Sequence, residues 1–302
     1  MASPGTVRIG ISGWRYTPWR GDFYPEKLAQ KRELAYASSI FRSIEINGTF
    51  YSLQRPEYFE AWAAETPDKF VFSVKGPRYI THIRRLSDVG GPVANFLASG
   101  ILRLGPKLGP ILWQLPPSFK FEPETMEEFL KLLPHDTESA GALAKHHDKF
   151  LKGRSAVKSD AQRPLRHAVE IRHSSFAVPE FIQMLRKYDV ALVCADTVKW
   201  PRMMDLTSDF VYCRLHGSEI LYASGYDSKS LDEWAARVAA WARGKEPADG
   251  ERVIKKDGPK RAARDVFVYF DNDVKVRAPY DAKSLTERVD KLLGRESKPA
   301  TA

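Results

Sequence analysis

The chain has 302 residues, 43% hydrophobic and 28% charged, a balance that supplies enough apolar material for a sizeable core and argues against disorder outside the tails. Its 47 Lys and Arg against 38 Asp and Glu leave a net charge of +9, which favours anionic partners such as nucleic acid or phosphorylated metabolites without naming one. No run approaches the roughly 18 apolar residues needed to cross a bilayer, so no membrane partner is expected, and Cys194 and Cys213 sit in apolar runs without CxxC or ligand spacing, which predicts reduced, buried thiols in a cytoplasmic protein.

In chain order, MASPGT (1–6) passes into a strand, VRIGI (7–11), with no basic region before an apolar run, so no signal peptide is expected. A helical pattern at 34–41 leads to strand SIEI (43–46), and one at 59–63 to strand KFVFSV (69–74). Another at 93–104 precedes strand ILWQL (111–115), after which Met126, Phe129, Leu130 and Leu133 fall at i, i+3, i+4, i+7. Residues 134–167 are too long for a simple connection and contain a candidate helix at 140–151. Strand AVEI (168–171) is followed by a second apolar stripe, Val178, Phe181, Ile182 and Leu185. After strand ALVCA (191–195) only a short segment near 201–204 is available for a helix. Strand FVYCRL (210–215) precedes a third stripe, Leu231, Trp234, Ala235 and Val238, and then GKEPADGERVIKKDGPKRAA (244–263), rich in Gly, Pro and charge, which reads as a mobile loop. Strand VFVYF (266–270) and a helical pattern at 285–292 complete the chain, with flexible tails expected at 1–6 and 295–302. Much of the excess positive charge lies in 145–166 and 252–264, as solubilising loops or as a binding face.

Eight strands alternating with helices call for a parallel sheet, because a parallel neighbour needs a crossover, and eight such units predict one α/β domain over 1–302, a closed (β/α)₈ TIM barrel. Alternate side chains in such a strand face the helices and the lumen. One set is almost wholly apolar (Val7, Ile9, Ile11; Ile44, Ile46; Phe70, Phe72, Val74; Ile111, Trp113, Leu115; Val169, Ile171; Val193, Ala195; Val211, Cys213, Leu215; Val266, Val268, Phe270) and is assigned to the helix side. The other set, near the strand C-termini, comprises Ser12, Glu45, Asn47, Lys75, Gln114, Glu170, Arg172, Asp196, Arg214, His216 and Asp271. Charge inside a barrel costs several kcal/mol unless paired or wet, so this ring is read as an active site at the catalytic face of the barrel. The alternative is a self-neutralising lattice of Glu45, Glu170, Asp196 and Asp271 against Lys75, Arg172 and Arg214.

The runs GISGWRYTPWRGDFYP (10–25), EINGTFY (45–51), FSVKGPRYITH (72–82), WQLPPSF (113–119), VEIRHSSF (169–176), YCRLHG (212–217) and YFDND (269–273) resemble those of the YecE-like proteins, a family of unknown function. The resemblance extends over nearly the whole chain and implies a TIM barrel, a fold without a reaction. Family members often follow the last strand with an Asn-rich turn and an Ala-rich helix start; DNDVKVRAPYDAKSL (271–285) keeps Asn272 and Asp273 but has a longer charged connection.

Glu45, Glu170, His216 and Asp271 are the candidate catalytic acids and bases. Ser12, Trp14, Asn47, Tyr51, Lys75, Gln114, Arg172, Asp196, Arg214 and Asn272 are candidate substrate contacts. Trp14, Tyr16 and Trp19 would wall a base or sugar ring or else pack the loop, and Phe50 and Tyr51 would lie over the mouth. Lys75, with Arg78 and His82 beyond it, puts cations after strand three, and the planar guanidinium groups of Arg172 and Arg214 suit phosphate or carboxylate. Glu170 and Arg172, two apart on one face, would equally well pair with each other. His173 has the opposite parity and reads as a turn residue. A Walker A motif, a GxGxxG after a strand and Cys/His metal spacing are all absent, so no cofactor is indicated. Cations in the ring would repel a cluster of metal ions, leaving metal-free chemistry or at most one divalent ion. Two functions stay open: an enzyme of the hydrolase, phosphodiesterase or isomerase kind acting on a phosphate-bearing or other anionic substrate, or a non-catalytic nucleic-acid-binding or ligand-sensing protein. Nothing in the sequence sets the oligomeric state.

Overall fold

A computed structural model describes residues 3–256 and 258–295; the expected tail residues 1–2 and 296–302 lie outside the described residues. The strands are β1 (Val7–Ser12), β2 (Ser43–Ile46), β3 (Val71–Lys75), β4 (Leu108–Gln114), β5 (His167–Glu170), β6 (Ala191–Asp196), β7 (Phe210–Leu215) and β8 (Asp265–Phe270). They pair in chain order, all parallel, and β8 pairs with β1, so the sheet closes as the predicted barrel. The helices among the described residues are α1 (Glu33–Ile40), α2 (Gly48–Tyr51), α3 (Pro56–Glu65), α4 (Gly90–Ala98), α5 (Pro123–Leu132), α6 (Thr137–Ala144), α7 (Pro179–Lys187), α8 (Ser228–Ala242) and α9 (Arg277–Leu293). None is long and apolar enough to cross a membrane.

Local chemistry explains several element boundaries. Proline opens α3, α5 and α7, where its fixed φ and missing N–H cost nothing. Asp136 and Asp227 cap α6 and α8 by accepting from Ser139 N and Ser230 N. The expected helix at 140–151 splits into α6 and a short 3₁₀ turn, Lys149–Leu151. No helix forms between β6 and β7. There Met204 N donates to Glu251 O, and the Asp205 carboxylate accepts from Val253 N and Ile254 N, so the 244–263 segment is laced to this connection.

Two cores flank the sheet. The larger lies between strands and helices and holds the predicted outward residues of β1–β5, β7 and β8. The smaller fills the lumen with Leu112, Ala168, Phe210, Tyr212, Phe267 and Tyr269. Strand β6 corrects the parity reading. Val193 and Ala195 belong to the lumen, while Leu192 and Cys194 pack under the helices. The register shows why: Val193 pairs with Tyr212 and Ala195 with Arg214, both inward residues, and Asp196 pairs with the outward Leu215. At β1 the barrel closes tightly because Gly10 has no side chain; a Cβ there would stand 1.8 Å from Ser43 O of β2.

Candidate functional site

Inward residues at the strand C-termini meet beneath the barrel mouth around one fully buried guanidinium, Arg214 of β7. Small inward neighbours, Gly10, Ser43, Ser73, Ala168 and Ala195, leave room for its long side chain and for Tyr212 one layer below. Arg214 donates through Nη2 to Glu45 Oε1 at 2.9 Å, to Asp271 Oδ2 at 2.9 Å and to Ser12 Oγ at 3.2 Å, and through Nη1 to Glu170 Oε2 at 2.8 Å. Glu45 also accepts from Ser12 Oγ at 2.7 Å and from the Tyr212 hydroxyl at 2.6 Å. Glu170 is engaged from the other side by Arg172, whose Nε lies 2.6 Å from Oε1.

Electrostatics follow from this packing. Burial pushes the Glu170 carboxyl up, but Arg172 and Arg214 outweigh it and hold it well below the usual carboxylate range. Asp271 is likewise held low, burial being overcome chiefly by Arg214. Glu170 and Asp271 are therefore ionised at neutral pH, as carboxylates in a buried charge network must be to recover their desolvation cost. His216 is fully buried against the edges of Trp200 and Tyr222. Its Nδ1 stands 3.1 Å from Asp271 Oδ2 and its Nε2 3.7 Å from Glu170 Oε2, close to both carboxylates but aligned for a hydrogen bond with neither.

Above this lattice opens a cleft of about 480 Å³ lined by Tyr16, Asn47, Phe50, Tyr51, Lys75, Arg78, His82, Gln114, Arg172, Tyr222, Asp271, Asp273 and Val274. Lys75 ends β3 with its Nζ 4.4 Å from the Phe50 ring centroid. Among the described residues the ammonium has no hydrogen bond and no ion pair. Burial, reinforced by Arg214, lowers its pKa to about 8. Arg172 lies over Trp200, its Cζ 4.2 Å from the ring centroid, and donates to the Tyr222 hydroxyl at 3.1 Å. Burial and the nearby Asp271 charge raise Asp273 to about 6. Two carboxylates two residues apart are thus driven in opposite directions, one by Arg214, the other by poor solvation beside its neighbour's charge. His82 is not the cation expected from sequence. Burial and the surrounding Lys75, Arg172, Arg78 and Arg85 drive its pKa to about 4, so it is neutral at neutral pH, its Nδ1 2.8 Å from Thr81 Oγ1.

The predicted residues divide three ways. Asn47, Tyr51, Lys75, Gln114, Arg172 and Asp271 line the cleft. Ser12, Glu45, Glu170, Arg214 and His216 converge as expected, but as the buried lattice under its floor, so Glu45 and Glu170 are salt-bridged supports rather than open bases. Trp14, Asp196 and Asn272 lie elsewhere. Trp14 packs on Trp62 and Phe72 under α3. Asp196, on the helix side of β6, binds Arg202 at 2.9 Å and the Trp234 indole at 3.2 Å. Asn272 is fully buried and donates to Ser224 O and Asp281, tying two loops together. Trp19 is loop packing against Tyr16, Phe23 and Tyr24, and His173 is the expected turn residue, accepting from Ser175 N. The ring reading missed Asp273, two residues beyond Asp271 in the same run, and Tyr222, which reaches the cleft from the loop after β7.

Among the described residues no group of three or more His, Cys, Asp or Glu is arranged to hold a metal ion. Three of the carboxylates that converge here surround Arg214, which fills the centre a cation would take.

A family model described as "Protein of unknown function DUF72" matches residues 8–302. UPF0759 protein YecE of Escherichia coli K12 is 30% identical over 148 residues, 49% of this chain and 51% of that protein. UPF0759 protein YunF of Bacillus subtilis is 30% identical over 128 residues, 40% of this chain and 43% of that protein. The chain thus spans about half the length of the curated relatives it matches. Among solved structures, a DUF72 family protein from Thermotoga maritima superposes with a TM-score of 0.68 at 24% identity, covering 94% of this chain and 99% of that one. One from Enterococcus faecalis does so with a TM-score of 0.68 at 16% identity, covering 98% of each. These likenesses agree in fold and bear out the resemblance to YecE-like proteins.

Proposed function

Because the chain belongs to the DUF72 family, proteins of unknown function, its reaction must be read from its own pocket, and we propose that this cleft is the active site of an enzyme transferring protons on an anionic substrate that carries a phosphate or carboxylate. The observation that carries this reading is the division of labour between two layers. The buried lattice consumes the charges of Glu45, Glu170 and Arg214 in fixing the floor, while the cleft above keeps Lys75 and Asp273 poised to exchange protons within two pH units of neutrality. Asp271, kept ionised, marks the opposite case, and carboxylates whose surroundings separate their proton affinities are the usual basis of acid and base assignments. Asp273 is then the general base in its ionised form. Arg78, exposed at the rim, and Arg172, laid over Trp200, supply the positive field for the substrate's anionic group. His82, neutral, offers a hydrogen bond without charge.

The test is a turnover screen over sugar phosphates, nucleotides and short oligonucleotides with the native protein and Asp273→Asn. A proton-transfer role for Asp273 predicts a loss of about 10²–10⁴-fold in turnover with an unchanged melting temperature. It also predicts an activity limb that rises through about pH 6 and is missing from the variant. Binding without turnover, indifferent to Asp273→Asn, would identify a ligand-sensing or nucleic-acid-binding protein instead.

A further inference from the structure

Four cationic side chains reach the floor and wall of the barrel mouth, and three of them are engaged or freely solvated. Arg214 is saturated by carboxylates, Arg172 is held by Glu170 and Trp200, and Arg78 lies exposed at the rim. Lys75 fits neither pattern. It is buried at the end of a strand, its Nζ lies over the Phe50 ring with no hydrogen bond or ion pair among the described residues, and it opens on the cleft. A lysine kept only to attract an anion gains nothing from being largely buried with no acceptor beside it, because burial weakens the charge it would offer. A lysine kept as an amine gains from both, since the neutral form is the nucleophile.

We propose that Lys75 is a covalent nucleophile that forms an imine with the carbonyl carbon of an aldehyde or ketone bearing a carboxylate or phosphate. This rests on the reading of the cleft as an acid/base active site for anionic substrates. The neutral Nζ attacks the carbonyl carbon, a C–N bond forms, and the carbonyl oxygen becomes a hydroxyl on taking up a proton from water. The Asp273 carboxylate removes the extra proton from nitrogen. It then returns that proton to the hydroxyl as the C–O bond breaks, releasing water and leaving the protonated imine, whose N–H proton passes to the hydroxide formed when water protonated the carbonyl oxygen, giving the neutral imine. Arg172 and Arg78 face the same cleft and pair with the substrate's anionic group, and the Phe50 face excludes water from the nitrogen. Lys75 titrates near 8 rather than 10.5, so near pH 7 roughly three hundred times more of it is free amine than of an exposed lysine.

The experiment is reductive trapping on the intact chain near pH 7, with sodium cyanoborohydride and either glyoxylate or glycolaldehyde phosphate as probe, and uncharged glycolaldehyde as control. Peptide mass spectrometry locates the secondary amine left by hydride addition. Lys75 is expected to be labelled about tenfold faster than any exposed lysine, faster with the anionic probes than with the control, and slower in Asp273→Asn. In Lys75→Arg the fast adduct is absent while the fold persists. Labelling spread evenly over surface lysines overturns the imine. Titration of inorganic phosphate by calorimetry separates this failure from the broader one: phosphate bound through Arg78 with no fast adduct leaves the acid/base site standing without a covalent lysine, and absence of both removes the site.

Discussion

Arg214 and Lys75 differ in role, one cation fully paired and the other without an ion pair among the described residues, and changes at the two places should act in opposite directions. Replacing Glu170 by Gln removes the carboxylate shared by Arg214 and Arg172. Leaving two buried guanidinium groups short of charge should cost about 3–5 kcal/mol, seen as a lower midpoint in urea. The stability that the depressed Glu170 and Asp271 acids contribute is complete above their unfolded pKa values, about 4. It is lost as pH falls further, because the unfolded chain then binds protons that the folded lattice refuses. Lys75→Met should do the reverse. The ammonium is held buried without an ion pair among the described residues, at a cost that a thioether beside Phe50 does not carry, so the variant should gain about 1–3 kcal/mol at neutral pH. Between pH 8 and the ordinary lysine value the unfolded native chain keeps a proton that the folded one has released, so native stability rises there and the variant's advantage shrinks. An advantage that stays constant from pH 7 to 10 would show that Lys75 carries no desolvation penalty.

At the scale of elements, seven of eight strands follow the sequence parity because the polar residue at or just beyond the C-terminal end of each lies on the lumen face. In β7, Val211, Cys213 and Leu215 alternate with Tyr212 and Arg214, and the two faces cannot be confused. Strand β6 reads ALVCAD, apolar on both faces, as a parallel strand buried on both sides must be. Its single polar residue, Asp196, therefore decided the parity, wrongly, because its partners Arg202 and Trp234 come from outside the barrel. Period-2 alternation carries the wall of the site, but Tyr16, Tyr222 and Asp273 arrive on loops whose paths no periodicity encodes. Asn272 shows the same limit: adjacent to a cleft residue, it turns away because α9 offers it Asp281. Strand closure gives a direct test. Gly10→Ala would put a methyl group 1.8 Å from Ser43 O, so β1 must part from β2. A loss of about 1–3 kcal/mol or more is expected by chemical denaturation, with Ser12 and Glu45 displaced from Arg214.

Across the whole molecule, polar networks sit at both ends of the barrel, and the fold gives them different work. At the N-terminal end Arg166 bridges Asp265 at 2.8 Å and Asp209 at 3.0 Å while lying over Phe210, and Asp265 also accepts from Thr6 N, so this cluster fastens β8 to the start of β1 and β7. The cleft with Lys75, Arg78 and Asp273 is at the opposite end, where barrels place their chemistry. The lumen between them is packed with Phe210, Tyr212, Phe267 and Tyr269, which stand between the two networks. Stability and ligand binding should therefore separate by mutation. Arg166→Ala leaves two carboxylates facing each other and should lower the melting temperature by a few degrees, equivalent to about 1–2 kcal/mol at these partly exposed positions, with phosphate affinity at the cleft unchanged. Arg78→Ala, an exposed rim residue without an ion pair among the described residues, should leave the melting temperature within about 0.5 kcal/mol of native and weaken phosphate binding several-fold, an effect that fades as added salt screens the native rim charge. If Arg166→Ala weakened phosphate binding as much as Arg78→Ala, the two ends would be coupled through the wall, and the lattice beneath the cleft would be a mechanical link rather than a fixed floor.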